Sequence, residues 1–123
     1  MISQVSESRK ERVELLRKRI RERILVLDGA TGTALQDEKL TAIDFGGDAY
    51  EGCNENLVFT RPDVVKRVSQ KYLAAGADIV ETNTFGATPL VLGEYGLSDK
   101  AFEVNRIACE LAREACREFS TPD

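Results

Sequence analysis

The sequence predicts an α/β chain that opens on a helix and continues as parallel strand–helix units, and three observations predict it. Ile24, Leu25, Val26 and Leu27 stand together without alternation, the habit of a strand covered on both faces. A long amphipathic stretch, "TRPDVVKRVSQKYLAAGAD", follows further on. Directly behind it a second short aliphatic segment, Asp78-Ile79-Val80, runs into the polar Glu81-Thr82-Asn83-Thr84. Strand, long crossover helix, strand and helix, in that order, make a right-handed parallel βαβ unit.

Each element can be justified in turn. A first helix is predicted from Ser6 to Glu22, with Val13, Leu16 and Ile20 forming a thin apolar stripe and Glu14 spaced to pair with Arg17 and Lys18. Strand one follows and is ended by Asp28-Gly29. "TALQDEKL" can form a short helix, and "FGGDAYEGCNEN" is a loop rich in Gly, Asp and Asn. Pro62 and Asp63 suit a helix start. Val65, Val68, Tyr72 and Ala75 supply its apolar stripe, and Gly76 a C-terminal stop. Strand two covers residues 78–82. "TNTFGATPLVLGEYG" has room for one short helix. Ser98 and Asp99 start the last long helix, on which Ala101, Val104, Ala108, Leu111 and Ala115 recur at helical spacing, with Phe102, Ile107 and Phe119 widening the apolar face. Two strands cannot cover such wide helix faces, so the sequence reads as the opening portion of a larger α/β protein. If stable alone it should associate, through an exposed sheet edge, with the remainder of that protein or another chain, or as an oligomer.

Composition narrows the class. With 42% apolar and 31% charged residues over 123 positions, the chain can bury a core of its own. No apolar run approaches the roughly 20 residues that cross a bilayer, and the first residues contain no stretch resembling a signal peptide. Three cysteines do not read as a disulfide framework; Cys109 and Cys116 stand seven apart in a helical pattern, about 10 Å along its axis and too far for a bridge. A reduced, cytoplasmic protein is expected. The net charge of −4 divides unevenly: residues 7–23 hold eight basic and four acidic side chains, a local +4, which leaves −8 elsewhere. No aromatic residue accompanies the basic ones, so nucleic-acid binding is not expected.

Both predicted strands turn polar at their carboxyl ends, where parallel α/β folds gather ligands. In "DGATGT", Gly29 and Gly32 let the backbone bend so that successive N–H groups can form an anion-binding nest, while Asp28 can pair with a cation; together they suit a zwitterion such as an amino acid. The alternative is a plain turn with Asp28 capping nearby amides. On strand two Thr82 lies on the side of Val80, and Glu81 and Asn83 on the other; those two either contact a ligand or brace the loop. The chain has no histidine, so no Ser-His or Cys-His pair is available.

"RILVLDGATGTALQ", "NENLVFTRPDVVKRVSQKYLAAGADIVETNTFGAT" and "AFEVNRIACELAREA" together resemble the start of the homocysteine S-methyltransferase domain, most closely in its cobalamin-dependent, methionine-making version. The resemblance implies that residues 23–123 are the N-terminal third of a homocysteine-binding barrel domain, incomplete, and residues 1–22 a basic helix before it. The implied fold class is α/β, about two βα units opening a (β/α)8 TIM-type barrel. It implies that Asp28, Gly29 and Thr82 match positions holding the amino-acid end of homocysteine, with Ala30, Thr31 and Asn83 as neighbours. It also implies a zinc ion on three cysteine thiolates, none of them matched by Cys53, Cys109 or Cys116, and cobalamin and methyltetrahydrofolate on other modules. One departure is visible: Ser69, in "VSQKY", stands where the family commonly has a histidine. By this reading the chain alone does not catalyse methyl transfer. The competing reading is a non-enzymatic protein that depends on a partner chain.

Overall fold

A computed structural model describes residues 8–121. Ser8 opens the first helix, α1 (Arg9–Glu22), with a capping box: its hydroxyl accepts the Glu11 N–H at 3.3 Å while the Glu11 carboxylate accepts the Ser8 N–H at 2.6 Å. Arg17–Glu14 and Arg19–Glu22 pairs line its surface. No α1 side chain is buried, so its helicity rests on capping and charge rather than on packing. Ser6 and Glu7, included in the predicted helix, lie outside the described residues.

The core is helical. After α2 (Thr31–Asp37) and a looping segment come α3 (Leu57–Thr60), α4 (Pro62–Ala74), α5 (Pro89–Leu92) and α6 (Ala101–Phe119). Arg61, at φ −139° and ψ 60° and so outside the helical region before Pro62, separates α3 from α4, and Gly76 ends the chain's course beyond α4 at φ +106°. Thr88 caps α5 by accepting the Val91 N–H. Val64, Val65 and Val68 of α4 pack with Val104, Ala108 and Leu111 of α6, together with Leu57 and Leu92. The five small and branched positions predicted as the buried stripe of α6 are all buried. Phe102 and Phe119, predicted to widen that stripe, are exposed instead. Lys66 and Gln70 of α4 reach Glu118 of α6, each at 2.7 Å, tying the two helices at their polar margin.

The predicted parallel sheet does not form. Among the described residues there is no strand, and the two segments meet at a single parallel bridge, Leu27 with Ile79. The Asp28 N–H donates to Ile79 O at 2.9 Å and the Ile79 N–H to Val26 O at 3.2 Å. The expected α/β class, two βα units opening a TIM-type barrel, is corrected accordingly: the fold is helical. The reason is visible in the hydrogen bonds. One step further along, a ladder would use the N–H of Glu81, but the Asp28 carboxylate accepts it at 3.0 Å. One step back it would use the N–H of Val26, which the Asp78 carboxylate accepts at 2.9 Å. Side-chain acceptors thus compete with the backbone at both ends of the bridge. With no sheet to cover them, Ile24, Val26, Leu27 and Ile79 are exposed, and the described residues present no sheet edge for a partner to extend.

Asp78 is itself held. Arg23 grips it bidentately, at 2.6 and 2.9 Å, and that guanidinium, followed by the Val26 N–H, lowers the Asp78 carboxyl to about 2. A carboxyl depressed in the folded state stabilises the fold above its ordinary pKa near 4, and that contribution fades as pH falls toward 2. An NMR titration should therefore find the Asp78 midpoint near 2, and Arg23→Ala should return it toward 4. In the core, Leu57→Ala should cost about 2–5 kcal/mol in denaturant melts, whereas Ile24→Ala at its exposed position should stay within about 0.5 kcal/mol.

Candidate functional site

The single bridge brings "DGATGT" and "ETNT" side by side, and an open cleft of about 470 Å³ lies over them. Asp28, Gly29, Ala30, Thr31 and Gly32 form one wall and residues 81–85 a second. Asn54 and Glu55 form a third wall. All six residues singled out in the sequence, Asp28, Gly29, Ala30, Thr31, Thr82 and Asn83, therefore line one cleft.

Their roles differ in detail. Asp28 uses Oδ2 to accept the Glu81 N–H, while its Oδ1 is buried with no hydrogen-bond partner. It caps an amide, as one alternative had it, but an amide 53 residues away rather than in its own turn. Residues 29–33 form a turn into α2 whose N–H groups, among the described residues, meet no protein acceptor. Thr82 and Thr84 share a hydroxyl–hydroxyl bond of 2.7 Å, both half-buried. Asn83 braces: its Nδ2 donates to Asn54 O at 2.9 Å. Beneath the cleft a cavity of about 10 Å³, room for at most one water, is lined by Asp28, Thr31, Glu81 and Asn83 and by the buried Ser69 of α4.

Three contributors escaped the sequence reading. Asn54 and Glu55 lay in a segment legible only as a loop. Tyr72, read as part of an apolar stripe, donates its hydroxyl to Ala30 O at 3.1 Å and holds the turn from α4. It also explains Gly29, where a Cβ would stand 3.2 Å from the Tyr72 hydroxyl. A phenol on a stripe that faces a polar turn was the available signal.

The three cysteines stand in different surroundings. Cys53, in the loop, is fully buried, and burial raises its thiol pKa; Cys109 is exposed and Cys116 half-buried. Among the described residues no group of three or more His, Cys, Asp or Glu side chains is arranged to hold a metal ion. The residues present here do not fit a tri-thiolate zinc site.

Residues 25–123 match the sequence model of a family described as homocysteine S-methyltransferase. The chain belongs to the homocysteine S-methyltransferase family. It is 48% identical over 102 residues to a methionine synthase of Mycobacterium leprae (strain TN), and 45% identical over 102 residues to a methionine synthase of Mycobacterium tuberculosis (strain ATCC 25618 / H37Rv). Each match covers 83% of this chain and 8% of the relative, so the chain spans under a tenth of the length of these curated relatives. Among the described residues no helix is long and apolar enough to cross a membrane. The matched span contains every wall of the cleft, while α1 lies before it.

The Gly29–Tyr72 contact can be tested by a double-mutant cycle. Gly29→Ala should cost about 1 kcal/mol or more in wild type by displacing the phenol, and little in a Tyr72→Ala background. Equal costs in both backgrounds would contradict the contact.

Proposed function

We propose that this chain carries part of the homocysteine-binding site of a methyltransferase that makes methionine, and that it binds the amino-acid end of homocysteine in the cleft. The observation that carries the reading is the meeting of "DGATGT" and "ETNT" in one cleft, within the stretch that matches the family. In this reading Asp28 receives the ammonium group, the N–H groups of residues 29–33 receive the carboxylate, and Thr82 offers a hydroxyl. Gly29 and Ala30 shape the turn, Thr31 lines it, and Asn83 braces the facing loop. The sulfur then points away from this chain's residues, toward chemistry supplied elsewhere in a longer protein or by another chain.

The zinc that would favour the homocysteine thiolate, and the cobalamin and methyltetrahydrofolate that would supply the methyl group, belong to those other parts. What these residues do is bind and orient the substrate. The chain alone is therefore expected to bind homocysteine weakly and to show no turnover, and its three free cysteines suit a cytoplasmic setting. A second reading, a non-enzymatic protein dependent on a partner chain, is favoured by the exposed Ile24, Val26, Leu27 and Ile79.

Calorimetric titration with homocysteine separates the two. Asp28→Asn keeps a side-chain acceptor for the Glu81 N–H but removes the charge, and should weaken binding at least tenfold, as should Thr82→Ala. Cys109→Ala, on an exposed surface, should bind as wild type. Absence of homocysteine binding, with concentration-dependent association, would favour the second reading. Methyl transfer by the chain alone with added zinc and a methyl donor would overturn the expected inactivity.

A further inference from the structure

The loop that follows Thr82 has two internal bonds, Thr84 N–H to Thr82 O at 2.9 Å and Ala87 N–H to Thr84 O at 3.1 Å, and is held from outside as well. Its Gly86 N–H donates to the Glu55 Oε1 at 2.9 Å, across 31 residues of sequence. The carboxylate sits hard against that backbone: a Cβ on the buried Gly86 would stand 2.9 Å from Glu55 Oε1 and 3.0 Å from Val91 Cγ1. No side chain larger than hydrogen fits there without displacing one of them. The neighbouring Asn54 carbonyl accepts from Asn83, and the Asn105 side-chain amide donates to Ala87 O at 2.8 Å, so the loop is pinned from outside at three points, Asn83, Gly86 and Ala87. The Thr82–Thr84 hydroxyl pair straddles the first of them.

The anchor is itself rooted in the core. Cys53 is buried to 1% exposure and Leu57 to 0%. The buried Asn56 donates to Phe45 O at 2.7 Å. Glu55 is thus a carboxylate on a fixed base reaching across to a loop whose Ala87 is also set in the core. Both of its oxygens are engaged, Oε1 by Gly86 and Oε2 by the Cys53 thiol at 3.9 Å. A carboxylate with both oxygens occupied by the protein is a brace rather than a ligand group.

We infer that Glu55 is a positioning residue: by fixing Gly86 it sets where Thr82, Asn83 and Thr84 stand in the cleft, and so sets the affinity of the cleft for its ligand. The ligand half of this inference rests on the homocysteine reading above; the loop half does not. The charge is not what the brace needs. It needs an oxygen at the reach of a glutamate side chain, and this separates Glu55→Gln, which keeps that oxygen, from Glu55→Asp, which keeps the charge but is one methylene short.

The experiment uses the whole chain, isotopically labelled, with amide hydrogen exchange at Gly86 and a homocysteine titration read at Gly29, Thr82 and Thr84. In Glu55→Ala and Glu55→Asp, Gly86 should exchange at least tenfold faster and homocysteine should bind about tenfold more weakly, while the melting of the helical core is retained. Glu55→Gln should restore both toward wild type. Should Glu55→Ala fail to fold, the Asp and Gln pair carries the comparison. Unchanged Gly86 exchange in Glu55→Asp, or homocysteine affinity unchanged despite faster exchange, would overturn the inference. If wild type itself does not bind homocysteine, the substrate reading falls, and Gly86 exchange still decides whether Glu55 holds the loop.

Discussion

Two aspartates close the bridge between Leu27 and Ile79, and everything at the cleft depends on that closure. Asp78, locked by Arg23, takes the Val26 N–H on one side, and Asp28 takes the Glu81 N–H on the other. Each is a charge-assisted bond to a backbone amide, of a kind stronger than the neutral backbone pair it replaces. The pair therefore fixes the register of two segments more than fifty residues apart while preventing them from continuing as a ladder. Register matters because a slip of one residue would exchange the faces of the segment and carry the Glu81 N–H away from Asp28.

The cleft that results is acidic. Asp28, Glu55 and Glu81 line it and no Lys or Arg does, although the chain holds 17 of them. Several of the cations are engaged elsewhere: Arg61 with Asp44 and Asp63, Arg67 and Lys71 with Glu38, Arg106 with Glu103 and Glu110. A ligand with an ammonium group meets a favourable field there, and its own carboxylate has neutral donors, backbone N–H groups and hydroxyls, rather than a cation to turn to. That asymmetry fits the zwitterion suggested by "DGATGT" better than it fits a nucleotide or a free phosphate.

Legibility in the sequence followed periodicity. α4 and α6 were readable because their apolar residues recur at helical spacing and Pro62 and Gly76 mark the limits of α4. The candidate site residues were readable because a polar run directly after an aliphatic segment is hard to place in a core. The sheet was misread for a definable reason: Ile24 to Leu27 and Ile79-Val80 have strand-like composition, but composition does not reveal that Asp28 and Asp78 intercept the amides on which a ladder would grow. Tyr72 and Glu55 were missed because their roles depend on contacts 42 and 31 residues distant, which no local pattern encodes.

Asp28 and Glu55 make an instructive contrast. Glu55 has both oxygens engaged by the protein, and its work is finished when the chain folds. Asp28 has one oxygen engaged and one buried without a partner, a condition that costs on the order of 1–3 kcal/mol or more for a carboxylate. The bond from Glu81 holds Asp28 in place despite that cost, because releasing it would break the bridge as well. On the homocysteine reading this is preorganisation: part of the desolvation that an acceptor ordinarily undergoes on binding has already been incurred in folding. An ammonium group that reached the free oxygen would relieve a destabilisation rather than compete with water for a solvated carboxylate. On that reading the acceptor best suited to bind is the one that the fold itself leaves incomplete, and the braced loop opposite it would supply the hydroxyls.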